Sequence, residues 1–243
     1  MGLQTVLEKI RAIRVIPMTA LAKADDAIPL CGALKAGGLE IVEITLRTPA
    51  AFEAICLVAR EFPEFTLGAG TVTSIEELEA AREAGAQFAV APGLNPRVVR
   101  RAQRLGFPFF PGVATPTDIE AALELGRRMP TGSVRPTGSL MPTGSVMPTG
   151  SVILKLFPVQ VLGGTRIVKA LAGPYAPKGV RFIPAGGVSA GNMAGYLAEP
   201  AVIAVGGSWL APRSLIEEKD WSEISRLAAE AVALASRIAA PGP

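Results

Sequence analysis

Residues 152–157, VILKLF, place a lysine inside an apolar run that otherwise reads as a strand covered on both faces. Side chains alternate along a strand, so Lys155 and Phe157 share one side while Leu154 and Leu156 share the other. If the leucines meet helices, the amine is turned inward. Burial favours the neutral amine, the form that attacks a carbonyl. The competing reading is a lysine at a frayed strand end whose ammonium snorkels outward. Two residues still separate it from the turn at Pro158, which argues against fraying.

VEITLRT, residues 42–48, poses the same question. Glu43, Thr45 and Arg47 fall on one side and Val42, Ile44 and Leu46 on the other. A half-exposed antiparallel strand would have this pattern. In a barrel, however, the apolar side meets helices and the polar side points inward, where unemployed charge is costly. There Arg47, at the strand's C-terminal end, could clamp a carboxylate with a bidentate pair. Three glycine turns complete the set: GAGT at 68–71, AGGVS at 185–189 and VGGSW at 205–209. Each alone is a common turn. After the last two strands of a barrel, such turns bind phosphate through backbone N–H groups.

The chain has no histidine, which removes Ser-His-Asp relays, Cys-His pairs and ordinary zinc catalysis from consideration. Acid–base work falls to Glu, Asp, Lys, Tyr, Cys or water. Cys31 and Cys56 have no CxxC spacing and read as small core residues in a reducing compartment. A net charge of +3, scattered basic residues and 5% aromatics argue against a nucleic-acid partner. Arg11/Arg14 and Arg97/Arg100/Arg101/Arg104 read as solvated helix faces. The N-terminus patterns as an amphipathic helix, not a signal peptide, and no apolar run approaches the roughly 18 residues that span a membrane. A cytoplasmic protein is expected.

The elements that must position these residues alternate regularly. Strands are expected at 14–18, 40–46, 65–70, 87–91, 107–112, 152–157, 181–185 and 202–206. Helices are expected near 24–37, 49–61, 75–85, 96–105, 117–127, 163–172, 190–198 and 221–239. Eight strand–helix units within 243 residues, 49% of them hydrophobic, predict an α/β fold: a single (β/α)8 TIM barrel. The alternative is an open doubly wound sheet, though no G-x-G-x-x-G follows the first strand.

Residues 129–152 interrupt the pattern with four hexapeptides, MPTGSV, RPTGSL, MPTGSV and MPTGSV. Pro and Gly every six residues forbid a helix, and four hexads offer little for a β-helix to stack upon. A mobile loop before strand 6 is the expectation, on the face opposite a barrel's catalytic end. Lengthening that connection from about four to about 28 residues costs about 1.7 kcal/mol of closure entropy, which a barrel survives.

Seven ordered motifs, EITLRT, GAGTV, APGL, FFPGVATP, LKLFP, PAGGVS and GGSWL, make the chain resemble the 2-keto-3-deoxy-6-phosphogluconate (KDPG) aldolase family. That family also includes 4-hydroxy-2-oxoglutarate (KHG) aldolases. The resemblance runs from about residue 8 to 235, leaving out the repeats. It implies one (β/α)8 domain over 1–243, a homotrimer, and Schiff-base cleavage without metal or cofactor. The implied substrate is a phosphorylated 2-keto-3-deoxy sugar acid, split to pyruvate and D-glyceraldehyde 3-phosphate, with KHG giving pyruvate and glyoxylate as a second reaction. By position it makes Lys155 the imine-forming lysine and Glu43 the general acid/base. Arg47 and Thr71 would hold the substrate carboxylate, and Pro92 and Phe157 would shape the pocket. Gly186, Gly187, Gly207 and Ser208 would take the phosphate.

Two departures bear on substrate choice. Phe157-Pro158-Val159-Gln160 stands where the family commonly has FPAE, and Pro184-Ala185-Gly186-Gly187 where it commonly has PTGG. A different class of reading also stays open: a barrel kept as a phosphate-ligand binder or scaffold. If the repeats shifted strand 6 by one residue, Lys155 would face the helices and the pocket would be dead. Another phosphosugar isomerase or synthase is a third possibility, disfavoured by LKLFP.

Overall fold

The computed structural model describes residues 3–127 and 152–239. The repeats lie outside those residues except for Val152, which opens a strand.

Nine strands and ten α-helices alternate through the described residues. Helix α1 (Leu3–Ile13) precedes β1 (Val15–Thr19), α2 (Ala27–Ala36), β2 (Ile41–Thr45), α3 (Ala51–Glu61) and β3 (Thr66–Gly70). Then come α4 (Ile75–Glu83), β4 (Phe88–Val90), α5 (Pro96–Leu105), β5 (Phe109–Phe110), β6 (Gly112–Val113) and α6 (Pro116–Arg127). The chain continues through β7 (Val152–Leu156), α7 (Thr165–Tyr175), β8 (Val180–Pro184), α8 (Met193–Leu197), β9 (Val205–Gly207), α9 (Arg213–Glu217) and α10 (Trp221–Ser236). The strand expected at 107–112 is split at Pro111, which has no N–H to give a ladder. The strand expected at 202–206 is regular only from Val205; Val202 makes an isolated bridge to Phe182.

All strand pairings among the described residues are parallel. One ladder runs β5-β4-β3-β2-β1-β9 and the other β6-β7-β8. They meet through Pro111 at one end and through the bridges Phe182↔Val202 and Ala185↔Gly206 at the other. Helix starts follow local chemistry. Ser74 and Glu77 form a reciprocal capping box on α4. Asn95 caps α5 ahead of Pro96, and Gly106 ends that helix at φ +59°.

The two faces of the strands feed separate apolar clusters. Val42, Ile44, Leu154 and Leu156 pack with the helices in the larger one. Ile41 and Ile153, one position out of phase, join Ile16, Phe88, Phe110 and Ile183 in the smaller one. Helix α1 seals that second cluster with Val6, Leu7 and Ile10, a use of its amphipathic face that the sequence does not announce.

Three expectations change. Arg14 is not on a solvated face: it is 4% exposed, sits at φ +63°, and donates to the carbonyls of Ile238 (2.7 Å) and Leu197 (2.7 Å). It thus ties the ends of α10 and α8, where the helix dipoles favour a cation. Cys56 is exposed on α3, not in the core; Cys31 is buried, which pushes its thiol up to about 12. Third, GAGT and VGGSW are not glycine turns, because Gly68 and Gly70 lie inside β3 and Gly206 and Gly207 inside β9. None of the four has positive φ, so they are there for space. A Cβ at Gly68 would fall 2.2 Å from the Phe88 ring. Among the described residues no helix is long and apolar enough to cross a membrane.

Gly68→Ala should therefore overpack the inner cluster and destabilise the fold by about 1–3 kcal/mol. A drop in urea midpoint at unchanged m-value would register it; an unchanged midpoint would mean that Phe88 has room to yield.

Candidate active site

The inward-facing positions of β2 and β7 change character toward their C-terminal ends: Ile41, Glu43 and Thr45 on one strand, Ile153 and Lys155 on the other. Lys155 and Glu43 are 4% and 3% exposed. The Lys155 Nζ donates to the Glu43 Oε1 at 3.2 Å, so two buried charges satisfy one another. The alternation in VILKLF thus places the lysine away from the helices, in the orientation that imine chemistry would require, with strand β7 in register. The Phe157 ring lies beneath the ammonium, 5.7 Å from Nζ to its centroid.

Glu43 reaches this position because β3 has no side chain in its way. A Cβ on Gly70 would stand 2.1 Å from the Glu43 Oε1. Farther along β2, the Thr45 hydroxyl donates to the Thr19 carbonyl at 2.9 Å and accepts from Arg47 Nε at 3.2 Å. Thr45 is therefore a fixed post that aims Arg47. Sequence reading placed Thr45 on the right face but gave it no role; only the cross-strand bond to β1 reveals one.

Lys155 opens into a cavity of about 760 Å3. Arg47, Thr71, Pro92, Phe157, Gly186, Gly187, Gly207 and Ser208 all line it, and Glu43 sits behind the lysine. Thr71 is at φ +64°, a left-handed conformation that a β-branched residue adopts only under local constraint. Gly186 and Gly187 have φ of +88° and +85°, which restricts both positions to glycine. A Cβ on Gly187 would also stand 2.4 Å from Gln160, whose Oε1 accepts from the buried Tyr196 hydroxyl at 2.9 Å. The Val159-Gln160 departure is thus built into the fold: Val159 is fully buried and Gln160 braces the glycine turn. Gly207 leaves room for the Trp209 ring, which a Cβ there would meet at 1.8 Å.

Sequence reading did not single out Trp209 and Arg213, which also line the cavity. Both lie just beyond VGGS, and proximity to that segment was the one available signal.

The arrangement can hold an anionic carbonyl compound with its carbonyl at an amine and a carboxylate within proton-transfer distance. Comparison with known proteins agrees. A family model described as "Aldolase: KDPG and KHG aldolase" matches residues 6–132 and 143–227. The 2-dehydro-3-deoxy-phosphogluconate aldolase of Treponema pallidum (strain Nichols) is 41% identical over 223 residues, 92% of this chain and 94% of that protein. The 2-keto-3-deoxy-6-phosphogluconate aldolase of Zymomonas mobilis ZM4, solved with 3-phosphoglycerate, superposes with a TM-score of 0.81 at 33% identity, covering 99% of this chain and 100% of that one. The KDPG aldolase of Legionella pneumophila, solved with pyruvate as a covalent carbinolamine intermediate, gives 0.78 at 32% identity over 92% and 96% of the two chains. With a family model over most of its length and relatives this similar across nearly all of it, the chain belongs to the KDPG and KHG aldolase family.

Proposed function

We propose that this protein is a class I aldolase that cleaves 2-dehydro-3-deoxy-6-phosphogluconate to pyruvate and D-glyceraldehyde 3-phosphate, and 4-hydroxy-2-oxoglutarate to pyruvate and glyoxylate. The observation that carries the reading is the buried Lys155–Glu43 pair, 3.2 Å apart, at a cavity that Arg47 also lines. The fold belongs to the same proposal: the two ladders, continuous through Pro111 and bridged from β8 to residues 202 and 206, form one closed (β/α)8 barrel. A single domain over 1–243, interrupted by the repeats at 129–152, is proposed with it, as are a homotrimer, on family resemblance, and a cytoplasmic location, on the sequence pattern.

The geometry and the family resemblance support the following course. The keto acid enters with its carboxylate at Arg47 and Thr71, and Lys155 passes a proton to Glu43 as it adds to the C2 carbonyl. The carbinolamine loses water, taking that proton back from Glu43, and leaves a protonated imine and a Glu43 carboxylate. Glu43 then removes the proton of the C4 hydroxyl. The C3–C4 bonding pair flows into the iminium, the aldehyde leaves, and an enamine of pyruvate remains on Lys155. Glu43 returns its proton to C3, and water hydrolyses the imine to free pyruvate and the amine. Burial excludes stray water from the enamine, and the Gly186-Gly187 and Gly207-Ser208 segments hold the phosphate.

Pyruvate release from each substrate, followed with lactate dehydrogenase, tests the assignment. Lys155→Ala should abolish turnover with the fold retained by circular dichroism; substantial residual activity would remove Lys155 as nucleophile. Gly70→Ala probes Glu43 without changing any charge. Its methyl would occupy the carboxylate's place, and kcat should fall by about 10²-fold. A variant as fast as the parent would show that the position of Glu43 does not set the rate.

A further inference from the structure

We propose that Arg213 is a specificity-determining residue that reads the distal phosphate of the substrate, an assignment that rests on the aldolase reading. Among the described residues, those lining the cavity include three cations, Lys155, Arg47 and Arg213, and no carboxylate. A phosphorylated keto acid brings a carboxylate and a phosphate that is nearly dianionic at neutral pH, about three negative charges in all. Lys155 is taken up by the imine and Arg47 by the carboxylate. The segments at Gly186-Gly187 and Gly207-Ser208 offer N–H dipoles but no net charge. Among the described lining residues, Arg213 is the cation left for the phosphate.

Its position suits the task. Arg213 begins α9, just beyond Ser208 in the chain, and lines the same cavity as Gly186, Gly187 and Ser208. Its side chain is 76% exposed, against 5% for Lys155, so it stands at the mouth while the lysine lies deep. The phosphate is carried on the carbon farthest from the keto acid end and must point toward that mouth. The Arg213 Nε donates to Glu217 at 2.6 Å, one turn along α9, which steadies the guanidinium. Nε is one of five N–H donors, and the Nη edge has the fork geometry that phosphate oxygens accept. 4-Hydroxy-2-oxoglutarate has no phosphate and ends at the carboxyl beside C4, short of this residue.

Steady-state kinetics on the full chain and Arg213→Ala, with both substrates at low and raised salt, test the proposal. The KM for the phosphorylated substrate should rise about five- to tenfold at low salt, with kcat little changed. The KM for 4-hydroxy-2-oxoglutarate should stay as it is. Added salt should narrow the gap between parent and variant, because the contact is exposed. Arg213→Lys should recover part of the loss. An unchanged KM for the phosphorylated substrate, or an equal rise for both substrates, would overturn the proposal. A parent enzyme active only on the unphosphorylated substrate would overturn it as well, leaving the aldolase reading standing. Inactivity of the parent on both would instead sink the aldolase reading and this role with it.

Discussion

Two opposite charges taken out of water are the constraint around which the site is built. Moving either Lys155 or Glu43 alone into the interior would cost several kcal/mol, and their mutual contact at 3.2 Å offsets it only if both are held in place. The surrounding sequence supplies that hold. Gly70 gives the carboxylate its space, and Leu154 and Leu156 anchor β7 so that Lys155 cannot turn away. A pair maintained at such cost is poorly explained by stability, since well-packed apolar residues would serve at least as well. It is well explained by chemistry that needs an amine and a proton carrier in contact.

The same strands do two jobs at two heights. Near their N-terminal ends, Ile41 and Ile153 share an apolar cluster with Val6, Leu7 and Ile10 of α1, and the interior there is hydrocarbon. Toward their C-terminal ends the inward positions become Glu43, Thr45 and Lys155, followed by the loops that carry Arg47, Thr71 and the glycines. The apolar layer makes the backbone rigid where rigidity costs no function. Loops beyond it hold left-handed conformations at Thr71, Gly186 and Gly187, of which the one at Thr71 is strained.

Much of this was legible in alternation. A lysine between leucines and a glutamate between valine and isoleucine state which way each points, provided the helices cover the apolar side; the cluster memberships of Leu154 and Ile153 show that they do. What stayed hidden depends on distances across the chain. Gly68 and Gly70 look like turn residues until Phe88 and Glu43 are seen in the space they leave. Arg14 reads as a surface cation until the carbonyls of Leu197 and Ile238, far away in sequence, are found around it. Cys56 belongs to a helix whose core-facing stripe is Ala51, Ala54, Ile55 and Val58, and it falls just off that stripe. Arg213 offered only its place a few residues beyond VGGS, because a lone arginine after a proline has meaning only beside the cavity it lines.

The chemistry turns on whether the amine of Lys155 forms an imine with a keto acid. Incubation with pyruvate and sodium borohydride, followed by intact mass and peptide mapping, measures that directly. A single reduced pyruvate adduct on Lys155 is expected, abolished in Lys155→Ala. A folded protein that takes up no adduct, or takes it up on another lysine, would contradict the assignment of Lys155 and leave the cavity as a binding site for anions.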